Sequence, residues 1–165
     1  MEALEAIRSR RSIRKYTEGT ISEEQLRQIL EAGRWAATKG NKQPWKFIIL
    51  KDEKKRSELA AALTSGKFLA QAPVGIAVSI KSDSSPDAPL DGAAATQNIL
   101  LAAHALGLGA CWISAYNTSS ENEAKRILNI PEDERLLSII SLGHPAEAPQ
   151  KEKKELEEIT FIDTL

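Results

Sequence analysis

The sequence predicts an α+β or α/β layer structure in one domain, with helices packed on a central sheet of four or five strands. Three observations predict it. Helical segments alternate with short runs of β-branched and aromatic residues along the chain. The length of 165 residues suits one domain, which at this size buries roughly 70% of the surface of its unfolded chain. Asp91 to Asn117, the longest mostly apolar passage, reads as a buried helix feeding a buried strand, and the other elements are arranged about it.

In chain order, residues 2–9 predict a short helix with Ala3, Leu4 and Ile7 on one face, ending in the basic run Arg8 to Lys15. Ser22 and Gln25 form a capping box for a second helix that runs out near Thr38, with Leu26, Ile29, Leu30, Gly33, Ala36 and Ala37 on its buried side. Thr38 to Pro44 is a loop by composition, Trp45 to Leu50 a strand, Asp52 to Thr64 a helix with Leu59, Ala62 and Leu63 inward, and Pro73 to Ile80 a second strand. Ser82 to Pro89 is a turn-rich connection.

Asp91 is the expected N-cap of the central helix, Gly107 and Gly109 stop it after Leu106, and Ala110 to Tyr116 follows as a third strand. Ala93, Ala94, Ile99, Leu100, Leu101, Ala102, Ala103 and Leu106 make this helix apolar nearly all round. Either its own domain wraps it or half of it meets a second subunit. Ser119 to Leu128 predicts a further helix and Arg135 to Leu142 a fourth strand. Residues 145–165 read as an arm that crosses to a partner chain: loop, then a densely charged segment, then the apolar Ile159 to Ile162, able to pair at a sheet edge.

Composition excludes several classes. Twenty-two basic residues against 23 acidic leave no global electrostatic footprint for nucleic acid or an anionic membrane. Thr96, Gln97, Asn98 and His104 argue against a membrane span in the central helix. The single cysteine, Cys111, sits among apolar neighbours and reads as core; with no signal segment at the N-terminus, a reducing cytoplasm is expected. No HExxH, CxxC, GxSxG or P-loop occurs, and no metal is expected. Gly107-Leu108-Gly109 leaves a helix and enters a strand, the reverse of a dinucleotide fingerprint.

Two segments carry chemistry. The basic run has a bland reading, cations at a helix C-terminus, and a functional one, a phosphate site in which guanidinium forks and the Ser12 hydroxyl meet phosphate oxygens. Lys151, Lys153 and Lys154 either add charge to the same anion or form a solvated face. In the loop at 38–45, Asn41 and Gln43 offer amides, Gly40 lets backbone come close, and Trp45 supplies a ring. Such amides suit a heterocycle with alternating donors and acceptors along one edge.

Taken in order, RRSIRKY at 10–16, TKGNKQPWKF at 38–47, AP at 72–73, DGAAATQNILLAAHALGLGACWISA at 91–115 and the GHP…KxK tail resemble the FMN-dependent nitroreductase family. The resemblance implies an α+β homodimer with helices round a mixed sheet, a C-terminal arm exchanged between subunits, and two FMN molecules at the interface. It implies NAD(P)H as donor and a nitroaromatic, quinone or similar flat acceptor, reduced by ping-pong turnover with no catalytic side chain beyond the flavin. It places Arg10, Arg11 and Ser12 at the phosphate and ribityl chain, and Arg14 at the pyrimidine edge. Thr38, Lys39, Asn41 and Gln43 reach the ring from the opposite subunit, Ser114 and Ala115 lie at the reactive N5 edge, and Lys151 and Lys153 lie near the phosphate. The chain departs from the family at Ala37-Thr38, where Pro-Ser is usual, at Lys39, where a small residue is usual, and at Lys153, where arginine is usual. Ser65 and Lys67 are candidates for further contacts, and the short connection from Lys81 to Leu90 implies an open substrate site. Rival readings keep the fold and FMN but change the reaction to reductive dehalogenation or flavin fragmentation, reduce the protein to a flavin carrier, or leave an interaction protein without cofactor.

Overall fold

The structure, a computed structural model, describes residues 1–81 and 84–164. Five helices, α1 (Ala3–Ser9), α2 (Glu23–Arg34), α3 (Glu53–Ala62), α4 (Ala88–Ala105) and α5 (Glu121–Leu128), accompany strands β1 (Tyr16–Thr17), β2 (Trp45–Leu50), β3 (Val74–Lys81), β4 (Gly109–Ser114) and β5 (Glu134–Pro145). The sheet runs β2-β3-β5-β4, with β1 pairing at the far end of β5. Every pairing between these strands is antiparallel; a single bridge, Ser12 to Ala110, supplies a parallel contact. The fold is α+β, as expected.

Both faces of the sheet are covered. Leu26 and Ile29 of α2 and Ile99 and Leu100 of α4 pack with Ile76, Val78, Ile80, Ile140 and Leu142 on one face. Leu59 of α3 and Ala124 and Ile127 of α5 pack with Ala77, Ile113, Leu136 and Ile139 on the other. A sheet buried on two sides needs strands apolar at consecutive positions, which is why β3 and β5 carry near-continuous hydrophobic runs. The register of β3 on β5 shifts between Val78 and Ser79. One extra residue reverses side-chain parity, so Leu137 shares a face with Ile140 although they stand three positions apart.

The capping box of α2 is present, with Ser22 Oγ accepting the Gln25 N–H and Gln25 Oε1 accepting the Ser22 N–H, both at 3.1 Å. The helix ends at Arg34, earlier than expected, and Ala37 is exposed. α4 begins at Ala88, a turn before the expected start, with Pro89 in its first turn. Asp91 is therefore not its N-cap but a buried residue inside it. Residues 82 and 83, in the connection before α4, lie outside the described residues. Gly107, at φ +77°, closes the helix.

One side of α4 packs inward through Asp91, Ala95 and Ile99 and through Gly92, Thr96, Leu100 and Ala103. The other side, with Ala93, Ala94, Leu101 and Ala102, is only partly covered, and Leu90 is 69% exposed. The N- and C-terminal segments are likewise only partly covered within one chain. Only Ala6 of α1 is buried, while Leu4 and Ile7 face solvent. Residues 159–162 form no strand, and Leu156, Ile159, Phe161 and Ile162 are exposed.

Candidate functional site

The chain leaves α1 extended and runs beside the outer edge of β4, where the Ile13 N–H donates to the Ala110 carbonyl at 3.0 Å. The tail returns across it. Glu147 accepts the Arg14 and Lys15 N–H groups at 2.6 and 3.2 Å, and the Lys15 carbonyl accepts the Ala146 N–H at 2.9 Å. This crossing brings Arg10, Arg11, Ser12, Arg14, Lys151 and Lys153 around one hollow of about 170 Å³, closed by Pro149. Five cations and a hydroxyl line it and, among the described residues, no carboxylate does. The volume is below the roughly 300–1,000 Å³ of a whole small-molecule site, so it suits one charged end of a longer ligand.

Arg11 serves both readings of the basic run. Its Nη1 donates to the Arg8 and Arg10 carbonyls at 2.7 and 2.9 Å, closing the end of α1, while its side chain still lines the hollow. Arg14 lies 5.8 Å from the centre of the Phe68 ring. The positive field reaches the end of α4. His104, bonded to Ser9 Oγ at 2.7 Å, is held below the usual histidine range by burial and by Arg10 and Arg11. Burial pushes the Cys111 thiol up, which keeps it an unreactive core group.

The edge of β4 leads away from this hollow. Ala115 donates its N–H to the Leu137 carbonyl, and main-chain direction alternates along an antiparallel strand. Ala110, Trp112 and Ser114 therefore direct their main-chain groups away from β5; Ala110 meets Ile13 in this way. Ser114, four residues on, lies about 13 Å further along the same edge at strand rise. The Ala115 carbonyl accepts the N–H and hydroxyl of Thr118 at 3.1 and 2.6 Å. Both main-chain groups of Ala115 are thus committed within the chain, and Ser114 is the outward one of the expected pair.

The turn after β4 is clamped. The Glu121 carboxylate, 4% exposed, accepts from Arg135 Nε and Nη2 at 2.6 and 2.7 Å and from the Asn117 and Leu136 N–H groups at 2.9 and 3.3 Å. Arg135 also donates to Asn117 Oδ1 at 2.8 Å and stacks on Tyr116 at 4.5 Å. Burial pushes the Glu121 carboxyl up, but Arg135 and the Asn117 and Leu136 N–H groups outweigh it, and the net shift is downward.

The loop at 38–43 sits at the opposite end of α4. Asp91 accepts the Thr38 hydroxyl at 2.8 Å and the Lys39 N–H at 3.2 Å, and Lys39 Nζ pairs with Asp87 at 2.5 Å. The 13 residues from Asp91 to His104 span about 20 Å of helix. Within one chain, then, Thr38, Lys39, Asn41 and Gln43 do not meet the cationic hollow. Lys39 neither crowds nor charges that hollow, because its ammonium turns to Asp87. Lys67 donates to the Ala61 carbonyl at 3.0 Å and, like Ser65, lies outside the hollow. Sequence reasoning missed Phe68, Glu147, Glu121 and Arg135. A phenylalanine next to a lysine and lone acids or bases 14 residues apart carry no local signal of a site.

The sequence model of the family described as "Nitroreductase family" matches residues 7–67 and 60–144. The chain belongs to the nitroreductase family. Among its nitroreductase relatives, a provisionally named NADH dehydrogenase/NAD(P)H nitroreductase of Archaeoglobus fulgidus is 39% identical over 149 residues, covering 87% of this chain and 86% of the relative. A provisionally named nitroreductase of Desulfovibrio desulfuricans, solved in complex with FMN, is 35% identical with a TM-score of 0.86 and covers 99% of this chain and 97% of that one. An FMN-dependent nitroreductase from Clostridium difficile superposes with a TM-score of 0.93 at 27% identity, covering 98% and 99% of the two chains. As for membranes, no helix among the described residues is long and apolar enough to cross one.

Proposed function

We propose that this chain is an FMN-dependent NAD(P)H oxidoreductase that works as a cytoplasmic homodimer and reduces nitroaromatics, quinones or similar flat acceptors by a ping-pong route. One observation carries the reading: a cationic hollow, lined by no carboxylate among the described residues, opens at one end of the β4 edge, and an outward main-chain segment at Ser114 lies about 13 Å along the same edge. That spacing suits a ligand with a phosphate at one end and a polar ring at the other.

FMN held here would supply the redox chemistry, hydride transfer between NAD(P)H and the flat acceptor. The residues supply the rest. Arg10, Arg11, Lys151 and Lys153 neutralise the phosphate, with Ser12 as hydroxyl donor; Arg14, expected at the pyrimidine edge, lines the same hollow and adds its charge there. Ser114 meets the ring edge through main chain, held in place by the Glu121–Arg135 clamp. Fixed donors of this kind stabilise charge that develops on the ring without an acid–base pair.

A second copy completes the slot. The 38–43 loop lies about 20 Å from the hollow of its own chain, and the family resemblance has it reach the ring from a partner. The partly bare side of α4 and the exposed Leu4, Ile7 and Leu90 give the two copies an apolar surface to share. The exposed Ile159, Phe161 and Ile162 give residues 145–165 a reason to cross to the partner. There, β2 has an edge that no strand pairs among the described residues, beside a groove of about 440 Å³ in which Leu26, Leu30, Trp45, Phe47 and Ile49 are joined by the charged Glu23, Arg27, Glu31, Arg34 and Lys46.

The test is optical. Purified protein reconstituted with FMN is expected to show flavin bands that bleach anaerobically with NADH or NADPH and return on adding nitrofurazone or menadione. Bands that do not bleach with either nucleotide would sink the reductase reading.

A further inference from the structure

The loop at 38–43 passes three times through the left-handed region: Gly40, Asn41 and Gln43 have φ values of +59°, +57° and +48°. Glycine and asparagine adopt it readily, and glutamine does not, so Gln43 is the strained position and needs contacts that hold it. Asp91, 7% exposed in the first turn of α4, is the group that does so. Its two carboxylate oxygens take the Thr38 hydroxyl and the Lys39 N–H. Thr38 Oγ1 passes the constraint on by accepting the Gln43 N–H at 3.1 Å, and Gln43 Nε2 donates to the carbonyl and side-chain oxygens of Asn41 at 3.2 and 3.1 Å. Two further ties, Lys39 to Asp87 and Lys42 Nζ to the Ser84 carbonyl at 2.7 Å, are at the exposed rim.

We propose that Asp91 is a positioning residue for the flavin ring: its carboxylate sets Thr38 to Gln43 in the shape that meets the ring, acting only through that loop. The inference rests on the FMN reading above. It has a selective consequence, because the loop belongs to the ring end of the slot and the cationic hollow to the phosphate end. Damage at Asp91 weakens FMN and riboflavin by the same factor.

The experiment compares the full-length wild type with Asp91→Asn, Asp91→Glu, Thr38→Ala and the Asp91→Asn/Thr38→Ala double variant. It measures affinity for FMN and for riboflavin by fluorescence quenching, and the visible circular dichroism of the bound flavin. Asp91→Asn removes one of two acceptors and is expected to weaken both flavins about tenfold. It should also alter the visible dichroism, which a general loss of stability leaves alone in the bound fraction. Asp91→Glu restores part of the affinity, and the double variant binds no worse than the poorer single one. Unchanged affinity and dichroism in Asp91→Asn, a loss confined to FMN, or fully additive losses would each overturn the assignment. Should Asp91→Asn fail to fold, Thr38→Ala alone decides: an equal loss for both flavins supports the inference, and no loss or an FMN-selective loss overturns it. A wild type that binds neither flavin removes the FMN reading and this inference together; a flavin-binding wild type with an indifferent Asp91 removes the inference alone.

Discussion

The two ends of α4 are polar in opposite ways. At the N-terminal end Asp87 and Asp91 face Lys39 and Thr38, so donors and acceptors there are already paired within the chain. At the C-terminal end Arg10, Arg14, Lys151 and Lys153 gather round a hollow to which no carboxylate among the described residues contributes. An ion pair already made has little further energy to give, whereas clustered cations gain from an arriving anion. The first end offers shape and the second offers charge.

The comparison is broken most severely at the charged end. Replacing Arg10 and Ser12 together with alanine removes donors whose only proposed partner is phosphate. Charge-assisted hydrogen bonds contribute about 1.5–3 kcal/mol each, so FMN affinity is expected to fall by a hundredfold or more. Riboflavin, which lacks the phosphate, is expected to bind within about threefold of wild type. Titration of both flavins into both proteins checks this, and an equal loss for the two would move the phosphate elsewhere.

A smaller effect is expected where pairing is buried. Glu121 and Arg135 are paired like Lys39 and Asp87, but Glu121 is inside the protein and also holds the Asn117 and Leu136 N–H groups. Glu121→Gln leaves part of that network unmet and is expected to cost about 2 kcal/mol at pH 7. The sign of its pH dependence follows from a folded pKa depressed below the ordinary 4.5. The contribution is complete above that value and is lost as pH falls through the folded one. Denaturation of wild type and variant from pH 7 to 3 should show their stabilities converging below about pH 4.5; a constant difference would show that the ionised carboxylate is not what stabilises the turn.

How much of this was legible in the sequence depended on whether the signal was local. Trp45 to Leu50 matches β2 residue for residue, and Ser22 with Gln25 announced the start of α2, because a run of β-branched and aromatic residues and a capping box are written in adjacent residues. The basic run and the tail lysines could be grouped through a family pattern, and the chain crossing at Ala110 and Glu147 does bring them together. Asp91 was misjudged as a cap because an acid before an alanine run looks like one; the helix begins earlier, and its carboxylate is taken by a loop some 50 residues away in sequence. Leu4, Ile7 and residues 159–162 were expected to find cover, and a single chain provides none. Contacts that span 50 residues or two copies leave no periodicity to read.

The paired end gives the smallest expected effect. At Lys39 the family resemblance implies a small residue, and a cation beside the ring would be expected to matter. Its ammonium is instead neutralised by Asp87 on an exposed rim, and its N–H, not its side chain, reaches Asp91. An ion pair on an exposed rim is screened by water, so Lys39→Ala should leave the denaturation midpoint unchanged and change FMN affinity less than about twofold. The Asp91 contacts survive the substitution, because they use main chain at 39 and the Thr38 hydroxyl. A tenfold loss of FMN on Lys39→Ala, with stability unchanged, would mean that the lysine leaves Asp87 when flavin binds. The end of α4 assigned here to shape would then also supply charge.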